Sequence, residues 1–132
     1  MLNGLNHITV TVKDLDESFI FYVDLLGMKP HAKWDKGAYL SLGELWFCLS
    51  CDEVSPSQDY THIAFDVSCS NFPLLQSQLM AAGVAQWKQN SSEGDSLYIF
   101  DPNGHKLEIH VGCLNNRLDS LKIKPYKSLQ LF

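Results

Sequence analysis

The segment His7-Ile8-Thr9-Val10-Thr11-Val12 returns 55 residues further along the chain as His62-Ile63-Ala64-Phe65-Asp66-Val67. Both segments alternate apolar and polar residues, which is the pattern of a β-strand with one buried face. Each is followed by a helical pattern and then by two strand-like runs joined by a tight turn. The chain is therefore predicted to contain two copies of one supersecondary unit.

Helix signals follow each repeated segment. The first helix is predicted over residues 15–26, with Asp14 or Asp16 available as the N-cap. The second is predicted over residues 72–82, with Asn71 as the cap and a proline in the first turn. In each half, a helix is thus expected to connect the first strand to the strands that follow.

A hairpin completes each half. Strand-like runs cover residues 38–42, 45–50, 96–100 and 106–111. Asn103-Gly104 between the last two runs is a strong hairpin signal. A further short strand is expected in each half, at residues 29–33 and 85–89. Each half is therefore predicted as a βαβββ module, and the pair as an α+β fold with a curved, mostly antiparallel sheet.

The two modules are expected to share a core within one domain, residues 1–132. The first module spans about residues 1–52, the second about 60–112, and a C-terminal tail covers 113–132. The polar stretch between the modules contains Pro56.

Composition excludes several classes of function. With 45% hydrophobic residues, the chain has the composition of a globular protein. Ten basic against fifteen acidic residues give a net charge of −5, so it lacks the basic face that nucleic acid or anionic lipid requires. No secretory signal and no membrane-spanning run is visible. A single C-x-x-C, Cys48 and Cys51, is weak evidence for zinc or redox chemistry, and reduced thiols in a cytoplasmic protein are expected.

Metal-capable side chains lie on the less apolar face of three predicted strands. These are His7, His62 and Glu108. Two imidazoles and one carboxylate can bind a metal ion from one side and leave its other coordination positions open for substrate. Such a ligand set suits Mn²⁺, Fe²⁺, Zn²⁺ or Ni²⁺. In the repeat, His7 and His62 occupy equivalent positions, and alignment of the two hairpins places Cys48 opposite Glu108. The alternative is that the histidines are ordinary hydrogen-bonded residues and Glu108 is solvated.

The loop from Lys88 to Ser96 is rich in hydroxyls, amides and turn-forming residues. Its carbonyl and hydroxyl oxygens suit a monovalent cation, and its N–H and O–H groups suit an anion. Lys88, Tyr98 and Arg117 could add charge-assisted hydrogen bonds to a phosphate-like group. The alternative is a plain hydrophilic hairpin loop. The remaining histidines are interpreted as structural: His31, His105 and His110.

Segments along the whole chain resemble those of one protein family. They are Leu5-Asn6-His7, Phe21-Tyr22, Leu25-Leu26-Gly27, Trp34-Asp35, Gly37-Ala38-Tyr39-Leu40, Leu45-Trp46, Asp59-Tyr60-Thr61-His62, Trp87-Lys88, Ser92-Glu93-Gly94, Asp101-Pro102, Gly104-His105-Lys106-Leu107-Glu108 and Pro125-Tyr126-Lys127. The chain thereby resembles the vicinal oxygen chelate (glyoxalase/bleomycin resistance/dioxygenase) superfamily. Within it, the chain is similar to the manganese-dependent fosfomycin glutathione transferases of the FosA type.

The resemblance implies an antibiotic resistance enzyme. Glutathione thiolate would open the epoxide of fosfomycin at the carbon that bears phosphorus, with Mn²⁺ held by the residues matching His7, His62 and Glu108. Thr9 would lie beside the departing oxygen, and Tyr39 would help glutathione ionise. Trp46 would pack near the substrate. The phosphonate would be bound by Lys88, Ser92, Ser96, Tyr98 and Arg117.

The resemblance also implies a second cation and a second subunit. K⁺ would be held in the loop by Asn90, Ser92, Gly94 and Ser96. The family forms a domain-swapped homodimer, so His7 of one subunit would meet His62 and Glu108 of the other.

The chain departs from the family pattern at two positions. Ser91 replaces an arginine and Ile63 replaces a tyrosine, and both bear on thiol or substrate affinity. Two other reactions on the same fold stay open: hydrolysis of the epoxide with Glu44 as general base, and transfer of another thiol such as cysteine or bacillithiol. A non-catalytic drug-sequestering protein would not need the metal-capable residues, and a glyoxalase-type isomerase would want a carboxylate in place of Cys48.

Overall fold

The βαβββ pattern occurs twice along the chain in the computed structural model, which describes residues 1–132. The first half contains β1 (His7–Val12), α1 (Leu15–Ile20), β2 (Lys29–Trp34), β3 (Gly37–Leu42) and β4 (Leu45–Cys51). The second half contains β5 (Ile63–Asp66), α2 (Phe72–Ala81), β6 (Gln86–Lys88), β7 (Ser96–Phe100) and β8 (Lys106–His110). Helix α3 (Leu114–Ile123) lies in the tail.

Each half forms its own four-stranded sheet with the same strand order. The orders are β1-β4-β3-β2 and β5-β8-β7-β6. In both sheets the first strand of the half pairs in parallel with the last, and the other neighbours are antiparallel. The predicted α+β fold and its internal repeat are confirmed, with the strands divided between two sheets.

The core lies on one face of each sheet and is continuous between the halves. On β1, Val10 and Val12 are buried, whereas His7 and Thr9 on the other face are not. The period-two alternation of the strands separates these two faces. Seventeen buried residues form a single cluster that takes side chains from both sheets and from the helices. The polar faces therefore remain available for a site.

The first helix begins as predicted and ends differently. Asp14 Oδ1 accepts a hydrogen bond of 3.1 Å from the backbone N–H of Glu17, so Asp14 is the N-cap. After Ile20 the helix continues as a π-helical turn over Phe21–Leu25. Phe21 and Tyr22 are adjacent yet both buried, and the wider turn begins at this pair.

The second helix is capped by a different residue from the one predicted. Asn71 occupies the N-cap position, but its side chain makes no capping hydrogen bond because its backbone is already helical, with φ −89° and ψ −19°. Side-chain capping requires an extended backbone at that position. Ser68 Oγ instead accepts a 3.1 Å hydrogen bond from the N–H of Asn71.

A buried hydrogen bond joins the two halves. The Tyr22 hydroxyl donates to Asp101 Oδ2 over 2.6 Å, and Asp101 is 4% exposed. Burial raises the pKa of Tyr22, and the charge and hydrogen bond of Asp101 raise it further. Asp101 Oδ1 accepts from the backbone N–H groups of Asn103 and His105, so both carboxylate oxygens have partners.

The turn after Asp101 reaches back to the first half at three more points. Asn103 Nδ2 donates to Ser18 Oγ over 3.0 Å, and Asn103 Oδ1 accepts from the N–H of Lys13 over 2.9 Å. His105 Nε2 donates to the Thr11 carbonyl over 2.6 Å. This last contact agrees with the structural role predicted for His105.

The four cysteines are free thiols. Cys48 and Cys51 are three residues apart on β4, so their side chains point to opposite faces of the sheet. The C-x-x-C motif thus does not form a ligand pair. No helix has the length and apolar character needed to cross a membrane.

Candidate metal and substrate site

His62 and Glu108 meet on the polar face of the second sheet. His62 directly precedes β5, and Ala64 of β5 pairs with Glu108 of β8. His62 Nε2 lies 3.0 Å from Glu108 Oε1. The two side chains are 18% and 10% exposed, so this pair is largely screened from solvent.

The hydrogen bond on the other side of the His62 ring determines its tautomer. Nδ1 lies 2.7 Å from the backbone carbonyl of Tyr60. A carbonyl oxygen only accepts, so Nδ1 carries a proton and Nε2 is the nitrogen that faces the Glu108 carboxylate. A proton on Nε2 makes this contact a hydrogen bond, and a metal ion would take the place of that proton between the same two atoms. Metal-binding histidines generally donate their second nitrogen in this way.

His7 has the same arrangement in the first half. Its Nδ1 lies 2.7 Å from Asn6 Oδ1, an acceptor, which leaves Nε2 as the nitrogen available to a metal ion. The ring packs on Trp46, with 4.5 Å between ring centroids. His7 is exposed, unlike His62.

The predicted metal residues are not all together within one chain. The structure joins His62 to Glu108, and no three His, Cys, Asp or Glu side chains are arranged to hold one metal ion within a single chain. His7 belongs to the other sheet. The donor chemistry fits a divalent cation of the Mn²⁺ to Zn²⁺ series, with two ligands in the second half and the third ligand, His7, exposed on the first.

The other predicted residues of the first half lie on the same face as His7. Thr9 of β1 and Tyr39 of β3 both pair with Cys48 of β4. Tyr39 packs edge-on against Trp46, with 5.2 Å between centroids. This face therefore brings together Thr9, Tyr39 and Trp46, the residues predicted for chemistry and substrate packing.

An aromatic surface extends from this face. Trp34 packs against Tyr39 at 4.8 Å between centroids, so the rings form a continuous row from Trp34 through Tyr39 and Trp46 to His7. Trp34, Tyr39 and Trp46 are 46%, 41% and 40% exposed. Monomeric proteins seldom leave a contiguous patch of large rings uncovered.

Lys88 provides positive charge beside the His62–Glu108 pair. Its Nζ donates to the Tyr60 hydroxyl over 2.7 Å and lies 4.8 Å from the ring centroids of both Tyr60 and Tyr98. The hydrogen bond with Tyr60 raises the pKa of Lys88, and the charge of Glu108 contributes to the rise. Lys88 is thus a permanent cation that points along an aromatic wall.

The 90–94 loop is organised by its own hydrogen bonds. Asn90 Nδ2 donates to the Gly94 carbonyl over 2.9 Å, and Asn90 Oδ1 accepts from Ser92 N–H and Ser92 Oγ. Arg117 of α3 reaches the loop through Nε, 3.3 Å from Glu93 Oε2. Arg117 therefore lies beside the loop and is paired with Glu93.

Ser96 lies further into the second sheet than the rest of that loop. Its Oγ is 2.7 Å from Glu108 Oε2 and 2.6 Å from His110 Nδ1. His110 is thereby linked to the metal-capable pair, although the sequence was interpreted as giving it a structural role. The signal was its position two residues after Glu108, on the same face of β8.

Comparisons with known proteins identify the family of this chain. Residues 4–109 match the family model described as the Glyoxalase/Bleomycin resistance protein/Dioxygenase superfamily. The chain is 52% identical to glutathione transferase FosA of Serratia marcescens, over 98% of this chain and 95% of the relative. It is 36% identical to metallothiol transferase FosB of Shouchella clausii, over 89% and 86%.

Solved structures show the same fold. The fosfomycin resistance protein FosX of Listeria monocytogenes, solved with Mn(II) and sulfate, superimposes with a TM-score of 0.83 at 28% identity, over 91% of this chain and 98% of that one. A Glu→Gln mutant of the same protein, solved with Mn(II) and 1S,2S-dihydroxypropylphosphonic acid, gives 0.82 at 27% identity, over 90% and 99%. The chain belongs to the Glyoxalase/Bleomycin resistance protein/Dioxygenase superfamily and, within it, to the fosfomycin resistance transferases of the FosA type.

Proposed function

We propose that this protein is a metal-dependent transferase that adds glutathione to fosfomycin and so confers resistance to the antibiotic. The observation that carries the proposal is the His62–Glu108 pair, in which an imidazole nitrogen and a carboxylate oxygen lie 3.0 Å apart. Identity of 52% to a glutathione transferase FosA supports the choice of thiol and substrate.

His62, Glu108 and His7 are the proposed metal ligands. Mn²⁺ is the proposed ion, and when bound it supplies Lewis acidity toward the epoxide and phosphonate oxygens. The Nδ1 hydrogen bonds of both histidines fix each ring and leave Nε2 as the nitrogen that would bind the metal. Glu108 supplies the one negative ligand, so the set keeps positive charge for an anionic substrate.

At the reacting carbon one bond forms and one breaks, and the proton that the thiol loses to solvent is balanced by the proton that the opened oxygen takes up. The glutathione sulfur bonds to the carbon that bears phosphorus, the carbon–oxygen bond of the epoxide breaks, and the oxygen finally takes a proton. Tyr39 is proposed to accept a hydrogen bond from the thiol or to stabilise the thiolate. Thr9, on the same face two residues after His7, is proposed to donate to the departing oxygen.

Phosphonate binding is proposed for the cationic end of the second sheet. Lys88 and Arg117 supply positive charge, and Tyr98 and Ser92 supply hydroxyl donors. Trp46 is proposed to pack on the methyl-bearing side of the substrate. K⁺ is proposed to bind the loop oxygens of Asn90, Ser92, Gly94 and Ser96, which would add charge near the phosphonate.

The complete site is proposed to form between two subunits. His7 is exposed and lies on the first sheet, whereas His62 and Glu108 belong to the second. In a swapped homodimer the first sheet of one chain faces the second sheet of its partner. The exposed row of Trp34, Tyr39 and Trp46 would then be covered, which supports the arrangement.

Hydrolysis of the epoxide is the second candidate function. The solved FosX structures support it, because one of them is in complex with a dihydroxypropylphosphonic acid. Glu44, the carboxylate considered as a general base, lies exposed in the turn between β3 and β4. The higher identity to FosA favours thiol transfer.

One incubation separates these functions. The purified protein would be mixed with Mn²⁺, K⁺ and fosfomycin, alone or with glutathione, cysteine or bacillithiol, and the products identified by mass. A glutathione adduct is expected, absent with Glu108→Ala. A diol formed equally well without thiol would assign hydrolysis, and unchanged fosfomycin in every tube would overturn both.

Four free thiols are consistent with the glutathione-containing cytoplasm as the place of action.

A further inference from the structure

Three side chains form a directed hydrogen-bond chain behind Glu108. Ser96 Oγ lies 2.7 Å from Glu108 Oε2 and 2.6 Å from His110 Nδ1. A carboxylate only accepts, so the single Ser96 proton goes to Glu108. The Ser96 oxygen must then accept from His110, which requires the proton of His110 to be on Nδ1.

The opposite tautomer is disfavoured by the same distances. With Nδ1 unprotonated, the Ser96 proton could satisfy only one neighbour, and either Glu108 Oε2 or His110 Nδ1 would face a second acceptor. His110 Nδ1 is also 3.3 Å from Glu108 Oε2, so a bare nitrogen would repel that oxygen directly. Both contacts of His110 therefore favour a donor at Nδ1.

This hydrogen-bond chain gives the two Glu108 oxygens different partners. Oε2 is held from behind by Ser96, with His110 next to it, and Oε1 is left facing His62 Nε2. The carboxylate is thereby fixed to present one oxygen to the candidate metal position. Without the donors behind it, the carboxylate could rotate and present both oxygens.

His110 is itself held in a narrow slot. A Cβ atom at Gly94 would lie 3.3 Å from His110 Cε1 and 2.7 Å from the Val111 carbonyl, and a Cβ at Gly112 would lie 3.2 Å from His110 Nε2. Both glycines have positive φ, +77° and +132°, which other residues adopt rarely. The imidazole is thus enclosed by two backbone segments that only glycine allows to approach so closely.

We propose that His110 is a positioning residue that acts through the Ser96 hydroxyl to fix Glu108 as a one-oxygen metal ligand. The inference rests on the proposed role of Glu108 in metal binding. It assigns His110 a function in the site without direct contact to substrate or metal.

The tautomer is tested first in the metal-free protein. Nitrogen-15 NMR of the histidine side chains is expected to show His110 protonated at Nδ1, and Ser96→Ala is expected to shift that signal. A neutral His110 protonated at Nε2 would overturn the proposal, whatever the metal does.

Metal affinity is tested next by calorimetric titration with Mn²⁺. His110→Leu is expected to weaken Mn²⁺ binding about 10- to 100-fold, the usual range for loss of an outer partner. His110→Asn keeps an N–H donor near the position of Nδ1 and is expected to stay within a few-fold of the unaltered protein. The double variant Ser96→Ala/His110→Leu should bind Mn²⁺ no more weakly than the weaker-binding of the two single variants, because both residues act through the same hydrogen-bond chain.

A matched control separates positioning from packing. His105→Leu removes another half-buried histidine, whose partner is the Thr11 carbonyl, and is expected to leave Mn²⁺ affinity unchanged even if it lowers the melting temperature. Equal affinity for His110→Leu and the unaltered protein would overturn this inference alone. Absence of Mn²⁺ binding by the unaltered protein would overturn the metal site as well.

Discussion

Cys48 occupies in the first sheet the position that Glu108 occupies in the second. Cys48 pairs with Thr9 and Tyr39, and Glu108 pairs with Ala64 and Tyr98, at corresponding places in the two strand orders. The repeat therefore offers one carboxylate where full symmetry would offer two. An open ligand position is the expected result, and it suits a metal that must also bind substrate oxygens.

The first prediction concerns the metal ligands. His7→Ala, His62→Ala and Glu108→Ala are each expected to remove most Mn²⁺ binding and activity, because loss of one of three protein ligands leaves a weak, misplaced ion. Cys48→Ser is the matched control and should bind Mn²⁺ like the unaltered protein. The measurement is a Mn²⁺ titration of the purified proteins. Near-parental affinity in any alanine variant would remove that residue from the site.

The second prediction concerns the shared site. His7→Ala and Glu108→Ala proteins, each inactive, are mixed under conditions that exchange subunits. Half of the dimers are then mixed and one of their two sites keeps every ligand, so recovery should approach about a quarter of parental activity.

The control for subunit mixing uses two ligands from the same half. His62→Ala mixed with Glu108→Ala leaves no complete site in any dimer, so no activity should return. If neither mixture recovers despite proven exchange, the sites are built within single chains.

The third prediction concerns the 90–94 loop. At constant ionic strength, activity should rise more with KCl than with NaCl, because a cage of loop oxygens sized for K⁺ coordinates the smaller ion poorly. Ser92→Ala should blunt the response and raise the KM for fosfomycin, with Mn²⁺ affinity close to parental. Ser91→Ala, the adjacent hydroxyl outside the proposed K⁺ set, is the control. Equal rates in the two salts would exclude a K⁺ site.

The fourth prediction concerns the hydrogen bond between the halves. Tyr22→Phe leaves Asp101 Oδ2 buried without its donor and should cost about 1–3 kcal/mol of unfolding free energy. Urea denaturation at neutral pH measures this loss. A change within error would show that water replaces the hydroxyl.

The same pair predicts a dependence on alkaline pH. Burial and Asp101 raise the pKa of Tyr22 in the folded protein, whereas an unfolded tyrosine ionises near about pH 10. The stabilisation is therefore complete below that pH and is lost as pH rises above it, because the unfolded state is then favoured by losing a proton. Tyr22→Phe should show a shallower alkaline decline. An unchanged slope would contradict the assignment.

Much of the fold could be predicted from the sequence because its signals are local. The repeated alternation of β1 and β5 identifies the strands, and Asn103-Gly104 identifies a hairpin, without knowledge of tertiary packing. The π-helical turn at Phe21–Leu25 was missed because the burial of two adjacent aromatic residues depends on partners elsewhere in the chain. The capping of α2 by Ser68 was missed because it depends on the backbone angles of Asn71.

The sequence predicts on which sheet face each site residue lies, but it does not predict the distances between the side chains. Alternation places His7, His62 and Glu108 on polar faces, but it does not say which two of them meet in one chain. The structure joins only His62 and Glu108. The role inferred for His110 depends on the direction of the Ser96 proton, which follows from three distances that no sequence pattern encodes.

The turn that begins at Asp101 has a consequence for how the chain folds. Its hydrogen bonds to Tyr22, Ser18, Thr11 and Lys13 all cross from one half to the other, and so does the hydrophobic cluster. Neither half alone keeps partners for these buried groups. We therefore expect a chain severed in the linker at residues 52–59 to yield no independently folded module. Unfolding of the intact chain should be cooperative, with both halves lost in a single transition.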